Sequence, residues 1–388
     1  MNRFEALLHA QPPLTTVLEI DRQPVAWGKT LRSLHGMEET IMSFLSAAGV
    51  GGAHPPTVIL TGAGSSECAA RSIENVLRRR LRCEVVTVPS SHLVTHCETI
   101  FLPERNYLLI SFTRSGNSPE SVAAFRHVES QFPRVIQAVI TCNEDGELTR
   151  LAMDNPATLL LLLPEETNDK SVAVTGSFSG LALAGLFLAR AQTKELDLAV
   201  EAAARGARRI LQTHADRVYD FAERTFSRAC FLGSDTRYAT MQEGRLKMQE
   251  MTGGRIASAY DTYLGLRHGP QLFVNSECIV VASLSSESRS RRYELDLLRE
   301  LRSKRQGCGT LVICGKVDPE INGACDEAID LFPSGDSLED DFRMLTDVVV
   351  CQILAAFKSL GLGLSPDNPS PEGIINKVVQ GVTIYPWG

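Results

Sequence analysis

Two glutamates and a lysine are spaced so that they fall on one face of a helix. Glu243, Lys247 and Glu250 occupy positions i, i+4 and i+7 of a helix predicted for residues 237–251. A carboxylate held near a lysine in a partly dry pocket can move a proton on and off carbon as a general base. The same spacing also occurs in solvent-exposed ladders of ion pairs, so the pattern alone leaves both interpretations open.

A second candidate site is rich in glycine and follows a predicted strand. Residues 62–66 read Gly-Ala-Gly-Ser-Ser and open a predicted helix. Glycines let the backbone approach an anion, the start of the helix supplies amides, and the two serine hydroxyls add donors. The six-residue dinucleotide fingerprint is missing and no Walker lysine follows. The alternatives are therefore a phosphate site and a plain tight turn between strand and helix.

A loop rich in hydroxyl groups follows another predicted strand. Residues 113–120 read Thr-Arg-Ser-Gly-Asn-Ser-Pro-Glu, with Ser118 as the predicted N-cap and Pro119 as the first helical residue. Its hydroxyls and the amides around Gly116 would form a second anion cradle at the C-terminal end of a strand, where ligands bind in open α/β sheets. The alternative is a helix that is merely capped.

Together, the two loops resemble the sugar-phosphate cradle of sugar-isomerase (SIS) domains, including the isomerase half of glucosamine-6-phosphate synthase. That pattern runs Gly-Thr-Ser and then Ser-Gln-Ser-Gly-Glu-Thr, and this sequence departs from it at Ser65, Arg114 and Asn117. The resemblance implies that Gly64 and Gly116 belong to the substrate site. The side chains that it implies for the phosphate are Ser65, Ser66, Thr113, Arg114, Ser115 and Ser118.

The stretch with the two glutamates carries the same resemblance. Residues 243–250 match the Glu-Gly-Ala-Leu-Lys-x-x-Glu helix of this isomerase class, and residues 267–270 match its Lys-His-Gly-Pro loop. The resemblance implies that Glu250 is the base that moves a proton between sugar carbons 1 and 2, and that His268 opens the sugar ring. The other implied site residues are Lys247 in catalysis and Glu243 and Thr175 in the substrate site.

The C-terminal tail narrows the resemblance. Residues 364–371 and 376–386 look like the ending of the bacterial AgaS-type enzymes, which are described as galactosamine-6-phosphate deaminases or tagatose-6-phosphate ketose/aldose isomerases. In the synthase a tail lysine enters the active site. Gln380 falls opposite that lysine here, and Lys377 is the catalytic candidate. The resemblance implies a deaminase and isomerase of an amino-sugar phosphate that needs no metal or cofactor, with active sites shared in a homodimer or a tetramer of dimers.

The predicted elements place these loops in two similar blocks. Short apolar strands alternate with helices, and the strands lack polar alternation, as a parallel sheet covered on both faces requires. The fold class predicted is α/β, with two tandem SIS domains, each a doubly wound, mostly parallel sheet flanked by helices. Strands are predicted at 58–61, 84–88, 107–112, 135–141, 158–163, 229–233, 278–284 and 310–314, and further helices at 67–81, 119–131, 177–192, 196–224, 291–304 and 339–360.

The domain organisation follows from these blocks. We expect a polar helical arm at 1–50, SIS domain 1 with the phosphate cradle at 51–195 and a helical linker at 196–226. SIS domain 2, with the glutamate helix and the His-Gly-Pro loop, is expected at 227–364, followed by a tail at 365–388. A length of 388 residues accommodates two domains.

Composition excludes several kinds of partner. The net charge of -7 and the pI near 5.7 provide no broad positive field for nucleic acid or an anionic membrane. We find no apolar run approaching the roughly 20 residues of a membrane span, the longest being 182–188. The start lacks the apolar core of a signal peptide, and the ten cysteines form no CxxC pair. These features favour a cytoplasmic protein with reduced thiols and a small-molecule substrate.

Some patterns and functions are set aside. His92 and His96 have the spacing of a metal-binding pair on a helix, but they supply only part of the four ligands that a tetrahedral site needs. We therefore expect no metal site. A glutamine-dependent aminotransferase needs an N-terminal cysteine nucleophile, which the start of this sequence lacks. A non-catalytic sugar-phosphate sensor has no use for Glu250 and His268. We therefore expect an enzyme, with isomerisation without deamination as the alternative reaction and a non-catalytic sugar-phosphate-binding regulator as the alternative function.

Overall fold

The computed structural model describes residues 1–190, 194–332, 335–370, 372–374, 376, 378–379 and 381–385. The chain divides into two compact units, which we name after the sheet that each contains. The first-sheet unit comprises Val25–Asp169, Gly176–Asp197 and Gly373–Gly388. The second-sheet unit comprises Met1–Pro24, Lys170–Thr175 and Leu198–Glu372. The N-terminal arm therefore contributes residues to both units.

Helices account for about half of the described chain. A single π-helical turn, Ile210–His214, joins α9 to α10, so the linker predicted at 196–226 is largely helical. The helices are α1 (Arg3–Leu8), α2 (Thr15–His35), α3 (Glu38–Ala47), α4 (Ser65–Leu81), α5 (Ser90–His96), α6 (Pro119–Gln131), α7 (Glu147–Asp154), α8 (Gly176–Arg190), α9 (Lys194–Arg209), α10 (Ala215–Ala222), α11 (Thr236–Met251), α12 (Tyr263–Leu266), α13 (Ser288–Ser303), α14 (Pro319–Asn322) and α15 (Met344–Gly361).

The first-sheet unit contains a parallel sheet of five strands in the order β2-β1-β3-β4-β5. All five predicted strands are present, and every residue of β3 is buried, which explains why its sequence shows no polar alternation. Helix α4 packs against α8 in this unit. The strands are β1 (Thr57–Gly62), β2 (Val85–Pro89), β3 (Tyr107–Thr113), β4 (Ile136–Thr141) and β5 (Leu159–Leu162).

The second-sheet unit contains another parallel sheet of five strands, in the order β10-β9-β8-β6-β7. Counted within its own block, this is the strand order of the first sheet, so the two units share one topology. The sequence predicted three of the five strands. It missed β7 and β10, because both are short, partly polar edge strands. The strands are β6 (Arg228–Leu232), β7 (Ala257–Asp261), β8 (Cys278–Ser283), β9 (Gly309–Cys314) and β10 (Glu327–Asp330).

Two expectations about apolar segments were wrong. The N-terminal arm is helical, but it is not a polar appendage, because Val17, Ile20, Trp27 and Ile41 are buried. Helix α15 is long and apolar enough to cross a membrane, contrary to the prediction that no such run exists. Most of α15 is buried inside its unit, where it packs against α11, so its apolar composition is explained by a place in the core.

Candidate active site

The turn between β1 and α4 has the backbone of an anion cradle. Gly64 precedes the helix with φ 56° and ψ -125°, a conformation that favours glycine. A Cβ on Gly62 would lie 2.8 Å from the carbonyl carbon of Ser66, so only glycine fits where the chain folds back onto the helix. Ser65 is the first helical residue and is buried, while Ser66 is half-buried. The first amides of a 17-residue helix therefore begin directly at this turn.

The loop after β3 lies beside this turn. Thr61 of β1 is paired with Ser111 of β3, so the two loops leave neighbouring strands at the same edge of the sheet. Within the loop, the Thr113 hydroxyl accepts a hydrogen bond from the Gly116 amide (3.0 Å), and the Ser115 hydroxyl accepts one from the Asn117 amide (3.2 Å). The structure thus brings the two halves of the predicted cradle together.

The loop is fixed from outside by the turn that follows β4. The Asn143 side-chain amide donates to the Ser115 carbonyl (2.7 Å), and the Glu147 amide donates to the Asn117 side chain (2.9 Å). Ser118 is the N-cap of α6 and Pro119 its first residue, as predicted, but the Ser118 hydroxyl makes no capping bond. That hydroxyl is therefore not used by the helix that it precedes.

Arg114 lies inside the unit rather than on its surface. Only 7% of this residue is exposed. Burial raises the pKa of the nearby Cys142 thiol to about 12, and the positive charge of Arg114 acts in the opposite direction. A buried arginine next to the cradle makes its potential more positive. Whether the guanidinium contacts a phosphate directly stays a prediction.

Sequence reasoning missed two hydroxyl groups at this edge. The hydroxyl oxygens of Thr61 and Ser90 are buried and have no hydrogen-bond partner in the described part of the chain. Ser90 directly follows β2, whose last residue Pro89 is paired with Gly62. Buried hydroxyls normally have a partner. The signal in the sequence was the place of Ser90 directly after a third strand, because the other two loops also directly follow strands.

The helix with the two glutamates is not a solvent-exposed ladder. Glu243 and Lys247 are fully buried, and Glu250 is 30% exposed. The Lys247 ammonium lies 3.4 Å from a Glu243 carboxylate oxygen and also contacts the Glu250 carboxylate. Lys247 thus stands between a carboxylate in the core and one that reaches solvent.

Packing against α15 explains why this face of α11 is buried. A Cβ on Gly244 would lie 2.8 Å from the Cys351 sulfur, so the two helices come close at that glycine. Burial, together with the negative charges of Asp347 and Glu243, raises the pKa of the Cys351 thiol well above its usual value. The buried Glu243 charge requires a cation, and Lys247 is that cation. Removing one partner from a buried ion pair costs about 3–5 kcal/mol.

His268 follows α12 in an exposed loop. Its amide donates to the Gly265 carbonyl (2.9 Å), and the residue itself is exposed. The loop is anchored by Glu300 of α13, which accepts hydrogen bonds from Arg267 (2.8 Å) and Gln271 (3.1 Å). Hydrogen bonds from Lys304, Gln271 and Arg267 lower the pKa of Glu300 to about 2. The anchor is therefore ionised throughout the neutral range.

The remaining predicted site residues have separate outcomes. Thr175 is fully buried, and its carbonyl accepts a hydrogen bond from the Gln352 side chain (3.2 Å). Lys377 and Gln380 lie outside the described residues. In the part of the chain that the structure describes, no group of three or more His, Cys, Asp or Glu side chains is placed to hold a metal ion. His92 and His96 both belong to α5.

Two parallel sheets of identical strand order, each with a glycine turn into the helix that follows its first strand, define a protein of two tandem SIS domains. No family model matches the chain. It is 36% identical to an AgaS protein of Streptomyces coelicolor over 95% of both chains. It is 33% identical to the D-galactosamine-6-phosphate deaminase AgaS of a Shewanella species, over 96% of this chain and 92% of that one.

A solved structure agrees with these relatives. The crystal structure of tagatose-6-phosphate ketose/aldose isomerase from Escherichia coli superposes with a TM-score of 0.86 and 31% identity, covering 96% of this chain and 97% of that one. The similarity extends through both sheets and is not confined to one domain. The chain belongs to the AgaS family of SIS proteins.

Proposed function

We propose that this protein converts galactosamine 6-phosphate into tagatose 6-phosphate and ammonia. The observation that carries the proposal is the arrangement on α11, where a fully buried lysine contacts a carboxylate that reaches solvent. A carboxylate held in one orientation at the edge of a core is suited to moving a proton between adjacent carbons. The Shewanella relative is named as a deaminase of this substrate, which supports the choice of reaction.

The chemistry is a proton transfer followed by hydrolysis. In the ring-opened substrate, Glu250 removes the proton from carbon 2 and the electrons move toward the carbon 1 aldehyde, which gives an enediol-like amine. The same carboxylate returns the proton to carbon 1, while the oxygen on carbon 1 takes up a proton and the nitrogen loses one, which leaves a primary alcohol at carbon 1 and an imine at carbon 2. Water adds to the imine and ammonia leaves, giving the ketose. Lys247 keeps the Glu250 carboxylate in position, and no redox change occurs.

The phosphate would bind at the edge of the first sheet. The amides at the start of α4 and the hydroxyls of both loops supply donors for an anion, and the buried Arg114 adds positive charge. Binding here is the same in ground and transition states, so it contributes to KM more than to kcat. The side chains proposed for this role are Ser65, Ser66, Thr113, Arg114, Ser115 and Ser118.

His268 is proposed to open the sugar ring in the site of a partner subunit. Its loop is exposed, and two leucines next to it, Leu264 and Leu272, are 47% and 86% exposed. Exposed leucines on both sides of this loop support burial against a second copy of the chain. The proposed assembly is a homodimer or a tetramer of dimers, with Lys377 of the tail as a further candidate in the site.

The compartment and the absence of cofactors belong to the same proposal. None of the ten cysteines, all of them described, forms a disulfide, which supports a reducing compartment such as the cytoplasm. The proton transfer requires a base, an acid and water, and it requires neither metal nor nucleotide. The proposed partner is the sugar phosphate itself, without nucleic acid or membrane.

The direct test is ammonia release. Purified protein is incubated with galactosamine 6-phosphate without added metal or glutamine, and ammonia is followed through glutamate dehydrogenase. A parallel reaction with tagatose 6-phosphate alone detects aldose formation. Ammonia together with tagatose 6-phosphate supports the deaminase. Aldose formation without ammonia would replace it with the isomerase, which the E. coli structure's name favours. Tight binding without either reaction would indicate a sugar-phosphate sensor.

The shared site has its own test. Inactive Glu250→Gln and His268→Ala proteins are mixed under conditions where subunits exchange. Hybrid dimers then contain one intact site, so part of the activity should return, up to about half per hybrid dimer by symmetry. The control is each inactive protein exchanged with itself. If exchange is demonstrated and no activity returns, both residues act in the site of one chain.

A further inference from the structure

Helix α2 begins without a capping side chain of its own. Thr15 is its first residue, and Leu14 before it has no side-chain acceptor. The amides of the first turn therefore need an acceptor from elsewhere. Asp367 supplies it, because its two carboxylate oxygens accept hydrogen bonds from the amides of Thr15 (2.8 Å) and Thr16 (2.7 Å). A residue of the C-terminal tail thus caps a helix at the start of the chain.

The backbone of Asp367 makes a second connection. Its carbonyl accepts a hydrogen bond from the Val172 amide (3.3 Å) in the 170–175 loop, which ends at Thr175. The same loop is held by Glu19 of α2, a buried carboxylate that accepts from the Ser171 amide (3.2 Å) and contacts the Lys170 amide. Asp367 and α2 therefore hold this loop together.

The tail then passes the end of the helix that carries Glu250. Pro366 and Pro369, on either side of Asp367, are both buried. The Pro369 carbonyl oxygen is 3.0 Å from the position that a Cβ on Gly253 would occupy. The Gly253 amide in turn donates to the Glu250 carbonyl (3.0 Å). The tail backbone is thus seated directly against the C-terminal end of α11.

We propose that Asp367 is a positioning residue that clasps the tail and the 170–175 loop to α2, and so fixes both against the catalytic half of the protein. This inference rests on the proposed function, since it assumes that Glu250 is the base. The prolines on either side restrict the tail backbone, so the carboxylate determines where the rigid segment is attached. The phosphate cradle belongs to the other unit. Losing the clasp should therefore lower kcat and leave KM nearly unchanged.

The variant Asp367→Ala removes both side-chain bonds to the amides of α2. A small displacement of the groups that position a base can cost about 10- to 100-fold in kcat, even when the mutated residue is far from the reacting atoms. We expect that loss, with KM within about threefold of the wild-type value. Asp367→Asn can keep at most one of the two bonds and should lie between the two proteins. It also preserves the test if the alanine variant folds poorly.

Two matched controls separate the clasp from general destabilisation. Asn368→Ala changes the exposed neighbour in the same tail segment and should leave kcat unchanged. Glu287→Ala removes another carboxylate that caps a helix, since Glu287 accepts from the amides of Arg289 (2.8 Å) and Ser290 (2.7 Å) at the start of α13. It should keep kcat. An equal loss of kcat in the Glu287 variant would overturn the proposal.

A measurement without substrate tests the contacts of Asp367 separately from the reaction. Amide hydrogen exchange on the full-length protein should become faster in Asp367→Ala both at the start of α2 and in the peptide containing Val172. Unchanged exchange at Val172, or faster exchange with wild-type kcat, would overturn the clasp. If the wild-type protein releases no ammonia and forms no aldose, the proposed function fails, while the exchange experiment still tests the clasp.

Discussion

The turn between β1 and α4 and the turn between β6 and α11 share one backbone conformation. Gly64 has φ 56° and ψ -125°, and Asp235 at the same place in the second unit has φ 53° and ψ -127°. In both turns the first residue is a glycine whose Cβ would collide with the helix, Gly62 in one and Gly233 in the other. A non-glycine residue in such a conformation costs about 1–3 kcal/mol. The second unit therefore tolerates strain that the first avoids.

The side chains around the two turns have opposite chemistry. Ser66 follows the first turn, whereas the corresponding Arg237 is buried and lies 3.1 Å from Glu294. In the loop after β8, the Ser286 amide donates to Asp340 (3.0 Å), so the protein's own carboxylate occupies that edge. The first edge is proposed to offer its donors to the substrate phosphate, whereas at the second edge a backbone donor bonds to the protein's own carboxylate. One topology would thus carry the proposed phosphate site in one unit and the internally paired Arg237 beside α11 in the other.

The largest effect should come from Glu250, a carboxylate on α11 of the second-sheet unit. Glu250→Gln removes the proposed base while keeping the shape of the side chain, so kcat should fall by about 10²- to 10⁴-fold. Sugar-phosphate affinity should be retained, since the cradle belongs to the first-sheet unit. Ammonia release and calorimetric binding measure the two quantities. The exposed neighbour provides the control, as Gln249→Ala should behave like wild type. Wild-type turnover in the Gln variant would end the assignment of Glu250.

The next effect is on stability and distinguishes the two turns directly. Arg237 also pairs with Asp340 (2.5 Å), so Arg237→Met takes the cation away from that carboxylate as well as from the buried Glu294. The loss should cost about 3–5 kcal/mol in the free energy of unfolding. Ser66→Ala at the corresponding place should change that free energy little, since no buried charge loses its partner. Denaturant unfolding measures both, with the exposed Arg289→Met as the matched arginine control.

The loss of stability in Arg237→Met should also depend on pH. Burial already raises the pKa of Glu294, and Arg237 opposes that rise. Without the arginine the folded-state pKa lies further above the unfolded one, so the folded protein gains a proton. The cost of Arg237→Met should therefore be small below the unfolded-state pKa of Glu294. It should grow as the pH rises from the folded-state pKa of Glu294 in the wild type toward the higher folded-state pKa in the variant. A cost that is equal at pH 5 and pH 8 would contradict this pairing.

Much of this comparison could be predicted from sequence, and the rest depends on distant contacts. Apolar strands without alternation predicted both sheets, because parallel strands are covered on both faces. The burial of Glu243 and Lys247 could not be predicted, since their spacing is also that of a surface ladder and only packing of α11 against α15 excludes water. The capping of Thr15 by Asp367 joins opposite ends of the chain, and no local pattern indicates it.

Exchanging the residues at the matching turn positions should have unequal effects. Gly64→Asp introduces strain and a negative charge where a phosphate is proposed to bind, so KM should rise by about 100-fold or more. Asp235→Gly keeps a backbone that glycine adopts easily, and its free energy of unfolding should change by about 1 kcal/mol or less. Steady-state kinetics and denaturant unfolding on both variants measure the difference. Equal loss of substrate affinity in both would show that the two edges are not functionally distinct.

The smallest effect should separate two serines at corresponding positions of the two loops. Thr61 is paired with Ser111, and Leu232, at the matching place before the second turn, is paired with Ala282. Four residues after Ser111 and Ala282, in the loops that follow these strands, lie Ser115 and Ser286. The Ser115 hydroxyl is proposed to contact the phosphate, and a hydrogen bond to a charged group contributes about 1.5–3 kcal/mol.

Ser115→Ala should therefore raise KM by about tenfold or more, with kcat nearly unchanged, because phosphate binding is uniform along the reaction. Ser286 bonds to Asp340 through its backbone amide, which alanine retains, so Ser286→Ala should leave both constants at their wild-type values. Initial rates over a range of galactosamine 6-phosphate concentrations measure the pair side by side. A fall in kcat at constant KM for Ser115→Ala would assign that hydroxyl to the reacting carbons, and the phosphate would then have to be held by the remaining donors of the cradle.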